Sequence, residues 1–153
     1  EESMSPPSWH ARLSRECHGK TVLYIEDNPL IASGIRTWLE SVGFTVLFAD
    51  NGRHGKALFE ANHHRIDAII QDYILPGIKG DELLSFFVAK RPDLPVIIVS
   101  AENDIECVNR LLTIGARELI RKPFKMDELF GCLARVLQVQ TEPDAVRTEA
   151  TSG

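Results

Sequence analysis

Short apolar runs alternate along this chain with longer stretches whose apolar residues recur every three or four positions. Val22-Leu23-Tyr24-Ile25, Phe44-Thr45-Val46-Leu47-Phe48, Ala68-Ile69-Ile70, Val96-Ile97-Ile98-Val99 and Leu119-Ile120 are short and nearly all apolar. Strands covered on both faces read this way. They predict strands near 20–26 and 44–49, a third ending at Asp72, a fourth over 96–99 and a fifth near 117–121. Between them lie helical patterns. Asn28 followed by Pro29 is a helix start, with Asn as cap and Pro in the first turn. Leu30, Ile31, Ile35, Trp38, Leu39 and Val42 continue that helix, and Gly43 ends it. Asn51-Gly52 reads as a turn before a helix marked by Ala57, Leu58 and Ala61. Leu83, Leu84, Phe87 and Val88 stripe a helix over 80–90. Ile105, Val108, Leu111 and Leu112 stripe one over 104–114, which Gly115 stops. Met126, Leu129, Phe130, Leu133, Val136 and Leu137 give a last helix.

Five strand–helix units result. Right-handed crossovers place helices on both faces of a parallel sheet, an α/β fold. Residues 1–18 carry Ser, Pro, His and Arg without an apolar period and read as a flexible tail, with Cys17 a free thiol in it. Residues 19–139 form the domain. Residues 140–153 lose periodicity and read as a second tail or a linker stub. The chain opens on Glu1 rather than Met, which fits a processed chain or a piece of a longer one.

Composition narrows the function classes. The 153 residues are 44% hydrophobic and 25% charged, ordinary for one globular domain. A formal net charge of -5 argues against nucleic-acid binding by this domain itself. No apolar run approaches the roughly 18 residues of a bilayer span, and no signal peptide is evident. Cys17, Cys107 and Cys132 have no motif spacing, which fits a reducing cytoplasmic setting. His63-His64 has no acid or cysteine at ligand spacing and reads as a surface pair at a helix end.

The chemistry lies where the strands stop. The first ends in Glu26-Asp27, the third in Asp72, the fourth in Ser100 and the fifth in Lys122-Pro123. In a parallel sheet these ends share one edge, the edge where ligands of such folds bind. Each residue alone has an ordinary explanation: loop-solvating acids at 26 and 27, a turn former at 72, a cap at 100, a solvated lysine at 122. Together they place three carboxylates, a hydroxyl and an ammonium on one rim. Three carboxylates raise one another's pKa, and a hard divalent cation such as Mg2+ relieves the repulsion through oxygen ligands. Asp72 is then a nucleophile toward phosphorus, with Lys122 and Ser100 for the phosphoryl oxygens.

The segments 22–28, 72–80, 100–101 and 115–124 resemble the receiver domain of two-component response regulators, over about residues 20–138. The resemblance implies a flavodoxin-like, doubly wound sheet of order 2-1-3-4-5. It implies Asp72 as phosphoacceptor, with Glu26, Asp27, Asp72 and the Ile74 backbone carbonyl as Mg2+ ligands. It implies Ser100 as switch hydroxyl, Lys122 as phosphate-binding lysine and a cis bond between Lys122 and Pro123. A sensor histidine kinase or phosphotransfer protein would donate the phosphoryl group. The output surface would be the helix at 104–114, the strand at 117–121 and the helix at 125–138, with a phosphorylation-dependent homodimer as one outcome. Arg110, Arg117, Glu118, Arg121 and Asp127 on that face are candidates for cross-subunit ion pairs.

Two positions stand out. Where the family often carries Tyr or Phe, three residues before the lysine, this chain has Leu119, which has no ring to report the switch. Ile74, two residues after the nucleophile, offers an apolar shield against water. That same Ile74 weighs against a phosphatase of the haloacid dehalogenase type, which wants a second Asp there. A pseudo-receiver scaffold would not need all five polar residues.

Overall fold

Every strand of the sheet is fed by apolar residues that alternate between two cores. In β1 (Thr21–Ile25), Val22 and Tyr24 join one core, while Leu23 and Ile25 join the other. The computed structural model describes residues 6–101 and 104–138. β2 (Thr45–Ala49), β3 (Ala68–Asp72), β4 (Val96–Ser100) and β5 (Glu118–Arg121) complete a five-stranded parallel sheet of order β2-β1-β3-β4-β5. The expected α/β architecture and strand order are therefore present. β1, β3 and β4 are buried along their whole length, so their side chains alternate between two helix layers and not between core and water.

Helices α1 (Pro6–Cys17), α2 (Pro29–Val42) and α6 (Met126–Val136) cover one face; α3 (Gly52–Asn62), α4 (Gly80–Lys90) and α5 (Ile105–Ile114) cover the other. α2 begins as its sequence dictates. The Asn28 side chain accepts from the Leu30 and Ile31 amides, Pro29 occupies the first turn, and Gly43 at φ 111° ends the helix.

Three readings change. Residues 6–17 are not a loose tail but α1. Pro6 and Pro7 stand in its first turn, where missing amide hydrogens cost little. Leu13 and Cys17, one turn apart, are fully buried against α2 and α6. Burying one such leucine contributes about 1.5–3 kcal/mol, which offsets the cost of ordering a turn. The period was hidden because, among the described side chains of the helix, two carry it. Cys17 is accordingly a buried thiol, pushed up by desolvation, not a mobile one. Asn51-Gly52 is not a free turn either: Asn51 caps α3, accepting from the His54 amide at 2.8 Å. That helix buries Gly55 and Phe59, while Ala57 and Ala61 face solvent. His63 and His64 lie exposed in a short 3-10 turn, as expected. The reading of 140–153, and the boundary at 139, lie outside the described residues.

Candidate functional site

At the carboxyl edge of the sheet the chain turns off each strand with a polar group. Glu26 follows β1; its amide donates to the Ala49 carbonyl, holding it in line with the strand. Its Oε2 accepts from the Asn28 amide at 3.0 Å. Asp72 ends β3, and the Tyr73 amide continues the pairing by donating to Val99 O at 2.9 Å. Ser100 ends β4. The Lys122 amide donates to Ser100 O at 2.9 Å, which brings the lysine beside that strand end. The Lys122–Pro123 bond is cis, as the resemblance implied.

The site is a charge cluster. Glu26, Asp27 and Asp72 each present an oxygen within 4.8 Å of the others. Lys122 Nζ lies 3.0 Å from Asp72 Oδ1 and 3.8 Å from Glu26 Oε1. Glu26, Asp72 and Ser100 are buried, Asp27 is exposed, and Lys122 is partly open to solvent. Burial pushes the Asp72 carboxyl up. The Lys122 hydrogen bond and charge oppose this, and Asp27 adds to it. Burial also raises Glu26, against the Asn28 amide. Three acids against one ammonium leave a negative excess that burial makes costly. The donor set is all oxygen and clustered to a few ångströms, so it fits a hard divalent cation. Tyr24 has a buried hydroxyl with no hydrogen-bond partner among the described residues. Burial and the charges of Glu26 and Asp72 push its ionisation upward, so it stays neutral.

All five strand-end residues named from sequence therefore stand on one edge, and four of them form the charge cluster. The Ile74 side chain, two residues after Asp72, is exposed. Leu119 packs, partly buried, against the α3–α4–α5 core.

A family model described as the response regulator receiver domain matches residues 22–134. The chain belongs to this family. Among its relatives is the transcriptional regulatory protein QseB of Escherichia coli O157:H7, 36% identical over 118 residues; the match covers 76% of this chain and 52% of that protein. A receiver domain protein from Clostridium thermocellum has a TM-score of 0.74 at 28% identity, covering 78% of this chain and 94% of that one. TrrA of Thermotoga maritima, solved in complex with Mg2+-BeF, has a TM-score of 0.69 at 26% identity, covering 77% and 99%. The chain spans about half the length of curated relatives such as QseB. It is a response regulator receiver domain whose acidic cluster fits the phosphorylation site of that family. Among the described residues, no helix is long and apolar enough to cross a membrane.

Two features of this receiver domain escaped the sequence reading. Leu30, Ile31 and Trp38 of α2 are exposed, and with Pro123, Phe124 and Met126 they line an apolar groove of about 670 Å3 that reaches Lys122. The signal was present: α2 carries more apolar residues than one buried stripe needs. The second is a polar network behind the loop that follows Asp72. Arg110 Nε donates to Asp81 Oδ2 at 2.6 Å, and its Nη2 donates to the Tyr73 hydroxyl at 3.0 Å. Nothing local in sequence joins residues 29 and 37 positions apart. Arg110 is thus tied within its own subunit. Glu118 is tied likewise, by two bonds from Arg135 at 2.9 and 3.1 Å. Of the five charges suggested for cross-subunit pairs, these two already have partners.

Proposed function

We propose that this domain accepts a phosphoryl group on Asp72 from a sensor histidine kinase or phosphotransfer protein in the cytoplasm, and relays the change to the α5–β5–α6 surface. The carrying observation is the Asp72 carboxylate, buried, 3.0 Å from the Lys122 ammonium and clustered with Glu26 and Asp27.

In this reading an Asp72 oxygen attacks phosphorus, a P–O bond forms, and the P–N bond to the donor imidazole breaks with its electron pair leaving on nitrogen. Lys122 holds a phosphoryl oxygen, and Ser100 donates to another. Glu26, Asp27, Asp72 and the Ile74 carbonyl would hold Mg2+, which when bound supplies positive charge against the phosphoryl oxygens. The domain's own groups perform the transfer and the later hydrolysis, so it turns over no separate substrate. The apolar groove beside Lys122 suits a helical face of the phosphodonor, because a donor histidine must reach Asp72 past that lysine.

The phosphoryl group adds about -1.5 to -2 charge. Drawing Ser100 toward it pulls on α5, the next helix in the chain; the loop expected to shift at 101–104 includes residues 102 and 103, which lie outside the described residues. Exposed Ile105 and Leu112 on α5 support phosphorylation-strengthened self-association, with nucleic acid left to any other domain. The experiment is incubation with a small phosphodonor and Mg2+, read by intact mass and sedimentation. A gain of one phosphoryl group, absent in Asp72→Ala, is expected. No gain in the parent, or a gain that survives Asp72→Ala, refutes the reading. An unchanged sedimentation mass removes the dimer.

A further inference from the structure

Leu119 leaves this domain without a ring that follows the switch hydroxyl, yet a side-chain path does join the acceptor to α5. Tyr73 is the residue after Asp72. Its ring lies against the start of α4: a Cβ at Gly80 would stand 2.4 Å from Tyr73 Cδ1 and 2.4 Å from its carbonyl oxygen. Gln71, on the other side of Asp72, donates to the Gly80 carbonyl at 3.0 Å. The residues flanking the nucleophile are therefore fastened to the first turn of α4. The next residue, Asp81, receives Arg110 from α5 at 2.6 Å, and the same guanidinium reaches the Tyr73 hydroxyl at 3.0 Å. A single arginine thus bridges the helix that must move, the helix beside it and the residue following the phosphoacceptor. Its fork geometry suits two acceptors at once, which an ammonium does not match.

We propose that Arg110, Asp81 and Tyr73 form a latch that holds α5 in its resting position and so sets how readily Asp72 takes up phosphoryl. The inference rests on the phosphoacceptor reading above. When Ser100 at the end of β4 is drawn toward the phosphoryl group, α5, the next helix in the chain, which begins at the Asp104 cap, is displaced with it. Arg110 stands on the second turn of that helix, so displacing the helix stretches both of its bonds. The latch resists the switched arrangement, and a domain that must pay for breaking it is phosphorylated more slowly than one without it. Arg110, Asp81 and Tyr73 are positioning residues: they act through α5 and the acceptor loop and do not touch the phosphoryl group.

The test compares the whole chain with Arg110→Ala, Asp81→Asn, Tyr73→Phe and Arg110→Lys. Hydrogen exchange of the α5 amides, without phosphodonor, reads the latch itself. Exchange in Arg110→Ala and Asp81→Asn is expected to be roughly two- to fivefold faster, the range for a partly exposed ion pair, with the urea midpoint near the parent's. Phosphorylation by a small phosphodonor and Mg2+ is expected to quicken by a similar factor. The double variant Arg110→Ala with Asp81→Asn gains no more than Arg110→Ala alone, because that single substitution already removes both ties. Arg110→Lys and Tyr73→Phe fall between. A purely structural role would instead lower the urea midpoint and slow phosphorylation. Folded variants with the parent's exchange and phosphorylation rates, or with slower phosphorylation, overturn the latch. If the parent itself gains no phosphoryl on Asp72, the phosphoacceptor reading fails, and the exchange comparison alone decides whether the latch exists.

Discussion

Lys122→Met tests the electrostatic balance of the site directly. Methionine keeps most of the aliphatic stem and removes the ammonium. At 3.0 and 3.8 Å, the gross attraction to Asp72 and Glu26 is about 5.5 and 4.4 kcal/mol at an effective dielectric of about 20. Most of that is offset by desolvation. Removing one partner of a fully buried pair costs about 3–5 kcal/mol. Lys122 retains 27% side-chain exposure, so about 2–3 kcal/mol is expected at pH 7.5 without Mg2+.

The sign of the pH dependence follows from the carboxyls. Burial holds Asp72 and Glu26 above their usual range in the fold. Between the unfolded and folded values, the folded chain keeps protons that the unfolded chain has released. The contribution of these groups is therefore full in acid, below the unfolded carboxylate range, and is lost as pH rises through the folded values. Removing Lys122 raises both carboxyls further, so the deficit of Lys122→Met is small in acid, below the unfolded carboxylate range, and grows as pH rises through the folded values. Saturating Mg2+ shrinks it by restoring positive charge. Asp72→Asn carries the opposite sign: a neutral isostere at a carboxyl that resists ionisation stabilises the chain at pH 7.5. Urea unfolding at several pH values, with and without Mg2+, reads all of this. A deficit indifferent to both pH and Mg2+, or an Asp72→Asn variant less stable than the parent, refutes the reasoning.

Leu13→Ala removes a fully buried side chain from α1 and is expected to cost about 2–4 kcal/mol in urea unfolding; a change under about 0.5 kcal/mol would return residues 6–17 to the status of a dispensable tail. Ile74→Asn replaces an exposed apolar side chain two residues after Asp72 with one that can orient water, so loss of the phosphoryl group from Asp72, followed by intact mass, is expected to quicken. A rate equal to the parent's removes the shielding role.

What was legible in the sequence is what chain periodicity encodes. The fully buried strands β1, β3 and β4 cannot alternate apolar with polar, so their runs are continuous and easily seen. The caps of α2 are written in Asn28, Pro29 and Gly43, because orphaned amides and a left-handed φ constrain residue type at those points. The strand-end acids were legible because a parallel sheet sends every carboxyl end to one edge, which turns five separate positions into one site before any distance is known. α1 was missed for the converse reason. Among its described side chains the buried stripe is Leu13 and Cys17, and two prolines at its start mimic a loop. α3 was found, but the residues that marked it do not carry its packing: Ala57 and Ala61 face water and Phe59 is buried.

The same contrast separates the acceptor from its control. Placing Asp72 against Lys122 needs only strand order and register, both of which follow from buried strands joined by helices. The coupling to α5 depends on which way one arginine points. Read from sequence, Arg110 was a candidate for an ion pair with a second subunit. In the fold it turns back to Asp81 and the Tyr73 hydroxyl, and Glu118 likewise turns to Arg135. A long charged side chain has rotamers enough to do either, and its choice is fixed by partners far away in the chain. Leu119 sharpens the point. Packed in the α3–α4–α5 core and lacking a ring, it leaves the route from Asp72 to α5 to a contact that the helix and strand patterns do not constrain. Receiver domains with the same acid cluster and lysine can therefore share their phosphorylation chemistry while differing in how firmly the resting state is held.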